Sequence, residues 1–259
     1  MVGRPYDVAA TLDADGDRRE DEGEMMEPVE KLRHEIKILV FDQYGTVVDM
    51  QTGLKKVLAP FLERKGWNGV PRRFVTWWWR THFENSMIDS LCDRGHTSYR
   101  EIGHRAVSHV MGRAGISYTQ DEVEWLVNRI EVLKPFPDVP EALMRMHRRY
   151  KLAILSNGDK DMLAAAKPHI GFAFDHTISV EEAGYFKPHL KTYAKAEEIL
   201  GEERTSILFV ANHVFDCVRA KSYGFNTAYI DRRRQPFGLG PEQPDLVVAD
   251  FKELADALA

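Results

Sequence analysis

Asp42 closes an apolar run at 37–41 and is followed by Gln43-Tyr44-Gly45-Thr46, so a carboxylate and a hydroxyl leave one buried strand at the same turn. Other apolar runs end on polar groups in the same way. Residues 152–155 lead into Ser156-Asn157-Gly158. A shorter run at 177–180 leads through a glycine-containing loop to Lys187-Pro188, and 207–210 leads into Ala211-Asn212-His213, with Asp216 on the next helical turn. An ionised aspartate is a nucleophile able to form a covalent intermediate. A lysine beside it favours the ionised form, because an opposite charge lowers a carboxyl pKa. Thr46, Ser156 and Asn157 add donors for a carboxylate. Taken singly, a strand-end aspartate is a cap or turn residue and a lone lysine is solvated. Delivery of all these groups to one edge is a different pattern.

That edge exists only if the apolar runs form one sheet. The runs at 37–42, 152–155, 207–210 and 227–230, with 177–180 and an edge strand at 246–248, read as short buried strands. Between them lie helical stretches at 139–149, 161–167, 190–200 and 214–223, the last two stopped by Gly201 and Gly224. Strands alternating with helices of this length predict an α/β fold with a doubly wound parallel sheet. Ligands of such sheets bind beyond the carboxyl ends of the strands, where the polar clusters stand.

Residues 53–134 break the alternation. They read as helical throughout, carry Trp67, Trp77, Trp78, Trp79, Phe83, Tyr99 and Trp125, and leave through Lys134-Pro135-Phe136-Pro137, a stiff boundary. We therefore expect a helical cap at 53–134 inserted into a core made of 36–52 and 135–259. Residues 1–35 hold Asp13, Asp15, Asp17, Glu20, Asp21, Glu22 and Glu24 among few large apolar groups. They are expected to be a flexible acidic extension.

Composition narrows the function class. The 259 residues, 44% hydrophobic and 29% charged with a net charge of −5, fit a globular protein with a sizeable core and give no footprint for nucleic acid. Two distant cysteines, no apolar run of membrane-spanning length and no secretory leader point to a cytoplasmic setting. His104 and His109, five apart, face different sides of a helix and do not form a metal pair.

In order, Asp42-x-Tyr44-Gly45-Thr46, Ser156-Asn157-Gly158, Lys187-Pro188 and the segment from Ala211 to Asp216 resemble the four motifs of the haloacid dehalogenase superfamily, over roughly residues 36–250. Within it the chain is most similar to the L-2-haloacid dehalogenase branch, through the first motif and the phrases Ile-Leu-Ser-Asn-Gly and Ile-Leu-Phe-Val. The resemblance implies a Rossmann-like core with a helical cap and a homodimer. It makes Asp42 the nucleophile, supported by Thr46, Ser156, Lys187 and Asp216, the last to hold Lys187 or orient water. His213 stands where many members have asparagine and would activate the ester-cleaving water. Arg80, in Trp77-Trp78-Trp79-Arg80, falls at the branch's halide-side arginine. Tyr44, Asn157, Tyr193, Asn212 and Phe215 are the expected substrate contacts.

Phosphatases of this superfamily hold magnesium with an acid two positions after the nucleophile, and tend to carry another four positions before the residue matching Asp216. Here those positions are Tyr44 and Asn212. A hard dication needs oxygen ligands that these side chains do not supply as carboxylates. No metal and no cofactor is therefore expected, and the partner is a small carboxylate substrate. Three readings follow. One is hydrolysis of an L-2-haloacid to a D-2-hydroxyacid through an aspartyl ester. Another keeps the nucleophile but cleaves a different α-carbon bond, such as the C–N bond of a cyclic imino acid, should Glu84, four residues after Arg80, face the pocket. The last is a non-catalytic carboxylate binder.

Overall fold

The computed structural model describes residues 28–93 and 95–259; most of the acidic segment expected to be flexible lies outside them. Its last eight residues correct that expectation. Pro28–Glu35 form helix α1. Leu32 is buried, as is Ile36 one turn on. The pair gives the segment an apolar stripe that composition alone obscures. The Arg33 guanidinium donates to the Ala257 carbonyl (2.6 Å), and Arg149 donates to that of Arg33 (2.7 Å), so α1 is tied to the core.

The core strands are β1 (Ile38–Phe41), β2 (Lys151–Ser156), β3 (His176–Ser179), β4 (Ile207–Ala211), β5 (Asn226–Ile230) and β6 (Leu246–Val248). They form one parallel sheet in the order β3-β2-β1-β4-β5-β6. The chain builds outward from β1 to β3 and then returns to place β4 on the other side of β1. That reversal opens a crevice at the carboxyl ends of β1 and β4, where doubly wound sheets bind ligands. Core helices are α6 (Val139–Met146), α7 (Lys160–Ile170), α8 (Leu190–Leu200), α9 (Val214–Tyr223) and α10 (Phe251–Leu258). Leu39 and Phe41 pack with α6, α7 and α10, while Ile38 and Val40 pack with α8 and α9. Both sheet faces are thus covered, which explains strands that read as unbroken apolar runs. Gly201 and Gly224 end α8 and α9 with φ of 64° and 107°, a conformation glycine takes without steric cost.

Between β1 and β2 the chain makes α2 (Met50–Arg64), α3 (Pro71–Leu91), α4 (Tyr99–Arg113), α5 (Gln120–Val127) and a 3-10 turn at Asn128–Val132. The helices begin at Met50, a little before the expected boundary, because Asp49 caps α2 by accepting from the Thr52 amide (2.9 Å). The two connections to the core run side by side. Val48 pairs antiparallel with Pro135, Asp49 N donates to Lys134 O (2.9 Å) and Phe136 N donates to Val47 O (3.0 Å). Among the described residues no helix is long and apolar enough to cross a membrane.

Helix α10 backs β1: Phe251 is fully buried and stacks on Phe41 (5.4 Å between centroids). Phe251→Ala should lower unfolding free energy by roughly 3–5 kcal/mol in chemical denaturation, as for other large-to-small core changes. A loss below about 1 kcal/mol would show that α10 is dispensable to the sheet.

Candidate active site

Asp42 follows β1 directly, and its amide donates to Val210 O on β4 (3.0 Å), so the switch-point crevice is anchored at the expected nucleophile. Lys187 comes from the loop after β3. Its ammonium donates to Asp42 Oδ1 (2.7 Å), Asp216 Oδ2 (2.7 Å) and Leu155 O (3.0 Å), which uses all three protons. Thr46 Oγ1 donates to the other Asp42 oxygen (2.7 Å) and accepts from the Asn212 amide (3.0 Å). Asp216, in the first turn of α9, also accepts from the Tyr193 hydroxyl. Asn157 Oδ1 accepts from the Lys187 amide (2.9 Å) and fixes the loop that carries the lysine.

The charges in this knot are unequal. Burial pushes the Asp42 carboxyl up, but Lys187, His213 and the hydrogen bonds from Lys187 and Thr46 together hold it below the ordinary aspartate value. Burial also opposes the Lys187 ammonium, yet Asp216 and Asp42 raise its pKa. Asp216 is pushed up by burial more than Lys187 pulls it down, with Asp42 adding repulsion. Asp42 is consequently the more acidic of the two carboxyls.

Above Asp42 lies a cavity of about 30 Å³ lined by Asp42, Tyr44, Trp79, Phe83, Ser86, Tyr99, Asn157, Lys187, His213 and Phe215. Trp79, Phe83 and Ser86 share one face of α3, at spacings of four and three. Trp79 stacks on Phe83 (5.5 Å), and the His213 ring lies against both Trp79 (5.5 Å) and Phe215 (5.4 Å). Tyr44 stacks on Tyr99 (5.5 Å), and burial first, then nearby Tyr99 and Asp159, push its phenol well above the usual pKa. Its hydroxyl has no partner among the described residues. A neutral O–H is therefore left to donate to a ligand. His213 Nε2 donates to Tyr44 O (2.9 Å) and lies 3.8 Å from Asp42 Oδ2, which leaves Nδ1 as its proton acceptor.

The expected site residues separate into three groups. Asp42, Tyr44, Asn157, Lys187, His213 and Phe215 line the cavity. Thr46, Ser156, Asn212, Asp216 and Tyr193 do not. Thr46 and Asp216 act on Asp42 and Lys187, and Tyr193 lies behind Asp216 rather than against a substrate. Ser156 accepts from the Gly158 amide (3.2 Å), and the Asn212 amide group donates to Gly45 O (3.0 Å). Arg80 stands apart. It is exposed, as is Glu84, and neither borders the cavity. Adjacent helical residues differ by about 100° in direction, so the helix that aims Trp79 inward turns Arg80 out. Trp79, Phe83, Ser86 and Tyr99 were not foreseen as site residues; the 79/83/86 spacing was the available signal. His82, likewise unforeseen, is held neutral by burial, its pKa down at about 3, and donates from Nε2 to Tyr99 O (3.0 Å), fixing the start of α4.

Among the described residues lining the cavity, Asp42 is joined by no second carboxylate that could hold a metal. Elsewhere among the described residues, His96, Asp159 and Glu181 bring ligand-type atoms within 4.8 Å of one another at the cap–core seam. There Asp159 already accepts from the amides of Tyr99 (2.7 Å) and Arg100 (2.9 Å) and so caps the cap's own helix.

Lys187→Met should move the acid limb of the pH–rate profile to higher pH. Asp42 sits below its ordinary pKa, so wild-type activity is kept until the pH falls through that lowered value. Without the ammonium, burial is opposed only by His213 and the Thr46 hydrogen bond, and the carboxyl rises. An unmoved limb would mean that Lys187 does not set the ionisation. Gly158 offers a separate test: a Cβ there would lie 2.6 Å from the Tyr44 hydroxyl and 3.0 Å from Leu163. Gly158→Ala should displace Tyr44 and raise KM more than it lowers kcat; an unchanged KM would remove the Tyr44 hydroxyl from substrate binding.

Comparison with known proteins agrees with this geometry. A sequence model of haloacid dehalogenase-like hydrolases matches residues 36–222. The chain is 30% identical over 224 residues to an (S)-2-haloacid dehalogenase of Pseudomonas sp. strain YL, covering 85% of this chain and 94% of that one. It is 34% identical over 205 residues to an (S)-2-haloacid dehalogenase of Xanthobacter autotrophicus, covering 77% of each. The structure of L-2-haloacid dehalogenase from Xanthobacter autotrophicus with chloropropionic acid covalently bound is similar with a TM-score of 0.75 at 28% identity, covering 85% of this chain and 97% of that one. With the motifs gathered on one sheet edge and these likenesses running through core and cap alike, the chain belongs to the haloacid dehalogenase-like hydrolases.

Proposed function

We propose that this hydrolase cleaves the carbon–halogen bond of a small (S)-2-haloacid through an aspartyl ester, without a metal. The observation that carries the reading is a lysine-paired Asp42 opening on an aromatic cavity that holds no second carboxylate among its lining residues. The covalently bound chloropropionic acid in the related Xanthobacter enzyme supports an ester route.

In this reading an Asp42 oxygen attacks the α-carbon from the side opposite the halogen. The C–O bond forms, the carbon–halogen bond breaks, and the halide leaves with the bonding electrons. Attack on carbon needs a poorly hydrated carboxylate, and the aromatic wall supplies that environment. The substrate carboxylate is oriented by the Tyr44 hydroxyl and the Asn157 amide. Water then adds to the Asp42 carbonyl carbon and gives a proton to His213 Nδ1, the ring being held by its stack and by the Tyr44 carbonyl. Collapse breaks the bond between that carbonyl carbon and the ester oxygen. His213 returns its proton to the departing oxygen, which frees the 2-hydroxyacid with inverted configuration, and the new Asp42 carboxyl loses its remaining proton to solvent, which restores the carboxylate. Lys187, beside Asp42, stabilises the oxyanion between these steps.

Exposure of Glu84 removes the feature that favoured a cationic leaving group. A cytoplasmic setting is consistent with two unpaired cysteines, and assembly as a homodimer rests on the family alone.

Halide release from chloro-, bromo- and fluoroacetate and from both 2-chloropropionate enantiomers is the direct test, with (S)-2-chloropropionate turned over and its enantiomer not. Turnover should be unchanged in EDTA; loss restored by magnesium would replace this mechanism with a metal-dependent one. Asp42→Asn should abolish turnover with the fold intact. A single turnover in heavy-oxygen water should place the label in Asp42 before product. Direct labelling of product would exclude the ester.

A further inference from the structure

Lys187 has spent all three protons on Asp42, Asp216 and Leu155 O, and no arginine lines the nucleophile cavity. Yet dehalogenation brings one anion in and sends two out, the hydroxyacid and the halide, across a chain of net charge −5. The cations for this traffic must lie beyond the cavity wall. A pocket of about 310 Å³ lies against that wall and shares Trp79 and His213 with it. Arg72 enters from the cap, and Arg232 and Arg233 from the loop after β5. Arg232 is committed: it pairs with Asp138 through two contacts (3.1 and 3.0 Å), donates to Thr46 O and lies over Phe136 (3.8 Å). Arg72 and Arg233 are exposed, and neither forms an ion pair among the described residues. Arg233 lies 5.9 Å from the Trp79 ring. The one acid among the described lining residues is Asp49, which caps α2, so the two unpaired arginines outweigh it.

We propose that this arginine-lined pocket is the anion port of the enzyme. Arg72 and Arg233 draw the haloacid carboxylate to the seam between cap and core, and take up the halide as it leaves past Trp79 and His213. The proposal rests on the dehalogenase reading for its substrate, but its anion binding can be measured without turnover. Guanidinia in a concave, partly apolar mouth raise the local concentration of an anion, an effect that salt screens.

The test compares Arg72→Gln/Arg233→Gln with Arg73→Gln, which removes a neighbouring exposed arginine absent from the pocket lining. On (S)-2-chloropropionate at low ionic strength, the double variant should lose about tenfold in kcat/KM and flatten its salt dependence. Inhibition by bromide should weaken, while kcat and Tm stay near wild type. Arg73→Gln should behave as wild type. Equal effects from Arg73→Gln, or an unchanged double variant, would overturn the port. Should wild type release no halide from any haloacid, calorimetry with propionate and bromide decides separately. Binding lost in the double variant upholds the port while the dehalogenase reading falls, and binding indifferent to both arginines overturns the two together.

Discussion

The buried ammonium of Lys187, held between Asp42 and Asp216, sets the terms for everything around it. The sheet order explains why a lysine does this. Lys187 follows β3, Asp42 follows β1, and β2 lies between them, so the loop after β3 and the long lysine side chain together bring the ammonium across the end of β2 to Asp42. On the way it donates to Leu155 O, and it ends where β1 and β4 part. A charge out of water is costly unless its protons are all used, and here each has a partner. One ammonium between two carboxylates leaves a net negative charge. The Tyr193 hydroxyl on Asp216 steadies one carboxylate behind the lysine, while the other faces the cavity. The arrangement thus has a direction: structural on the Asp216 side, reactive on the Asp42 side.

Reactivity also depends on what the cap withholds. An exposed carboxylate is well hydrated and a poor nucleophile toward saturated carbon. Trp79 and Phe83 from α3, with Tyr99 from α4 and Phe215 from the core, surround Asp42 with ring faces. His213 lies against both Trp79 and Phe215, the one imidazole among the described lining residues. The apolar wall suits the step that forms the ester. The single imidazole suits the step that must admit and deprotonate one water. The cap therefore does not merely cover the site; its helix α3 supplies Trp79, Phe83 and Ser86 to the wall around Asp42.

The core was legible because parallel strands covered on both faces read as unbroken apolar runs, and because polar residues at their ends mark a single edge. Helices at 190–200 and 214–223 were equally plain, each closed by a glycine. The cap was legible as helix but not as surface. Trp79 and Arg80 are neighbours, and periodicity on α3, with tryptophans at 77, 78 and 79, cannot say which residue meets the nucleophile. Packing decides: Trp78 is fully buried inside the cap, Trp79 meets His213, and Arg80 is left to solvent. Helix α1 was hidden for another reason. Its apolar stripe is Leu32 with Ile36 just beyond, too short a signal beside the nine acids upstream. Pro28–Glu35 is ordered by contacts with Ala257 and Arg149, far along the chain.

The position two residues after Asp42 shows how one side chain redirects the fold's chemistry. A carboxylate there would face Asp42 across the cavity, and two like charges in a dry site need a dication between them. Tyr44 removes the need. Its ring lies flat on Tyr99 and extends the aromatic wall, and its hydroxyl adds a donor with no charge to balance. Asn212 completes the change from the neighbouring strand end, where its side chain donates to Gly45 O and its amide supports Thr46. Among the described residues Asp42 is the one acid on the wall, and its negative charge is met by Lys187. The same crevice that in a carboxylate-rich form would hold a phosphate and its ion is thereby fitted to a small carbon electrophile.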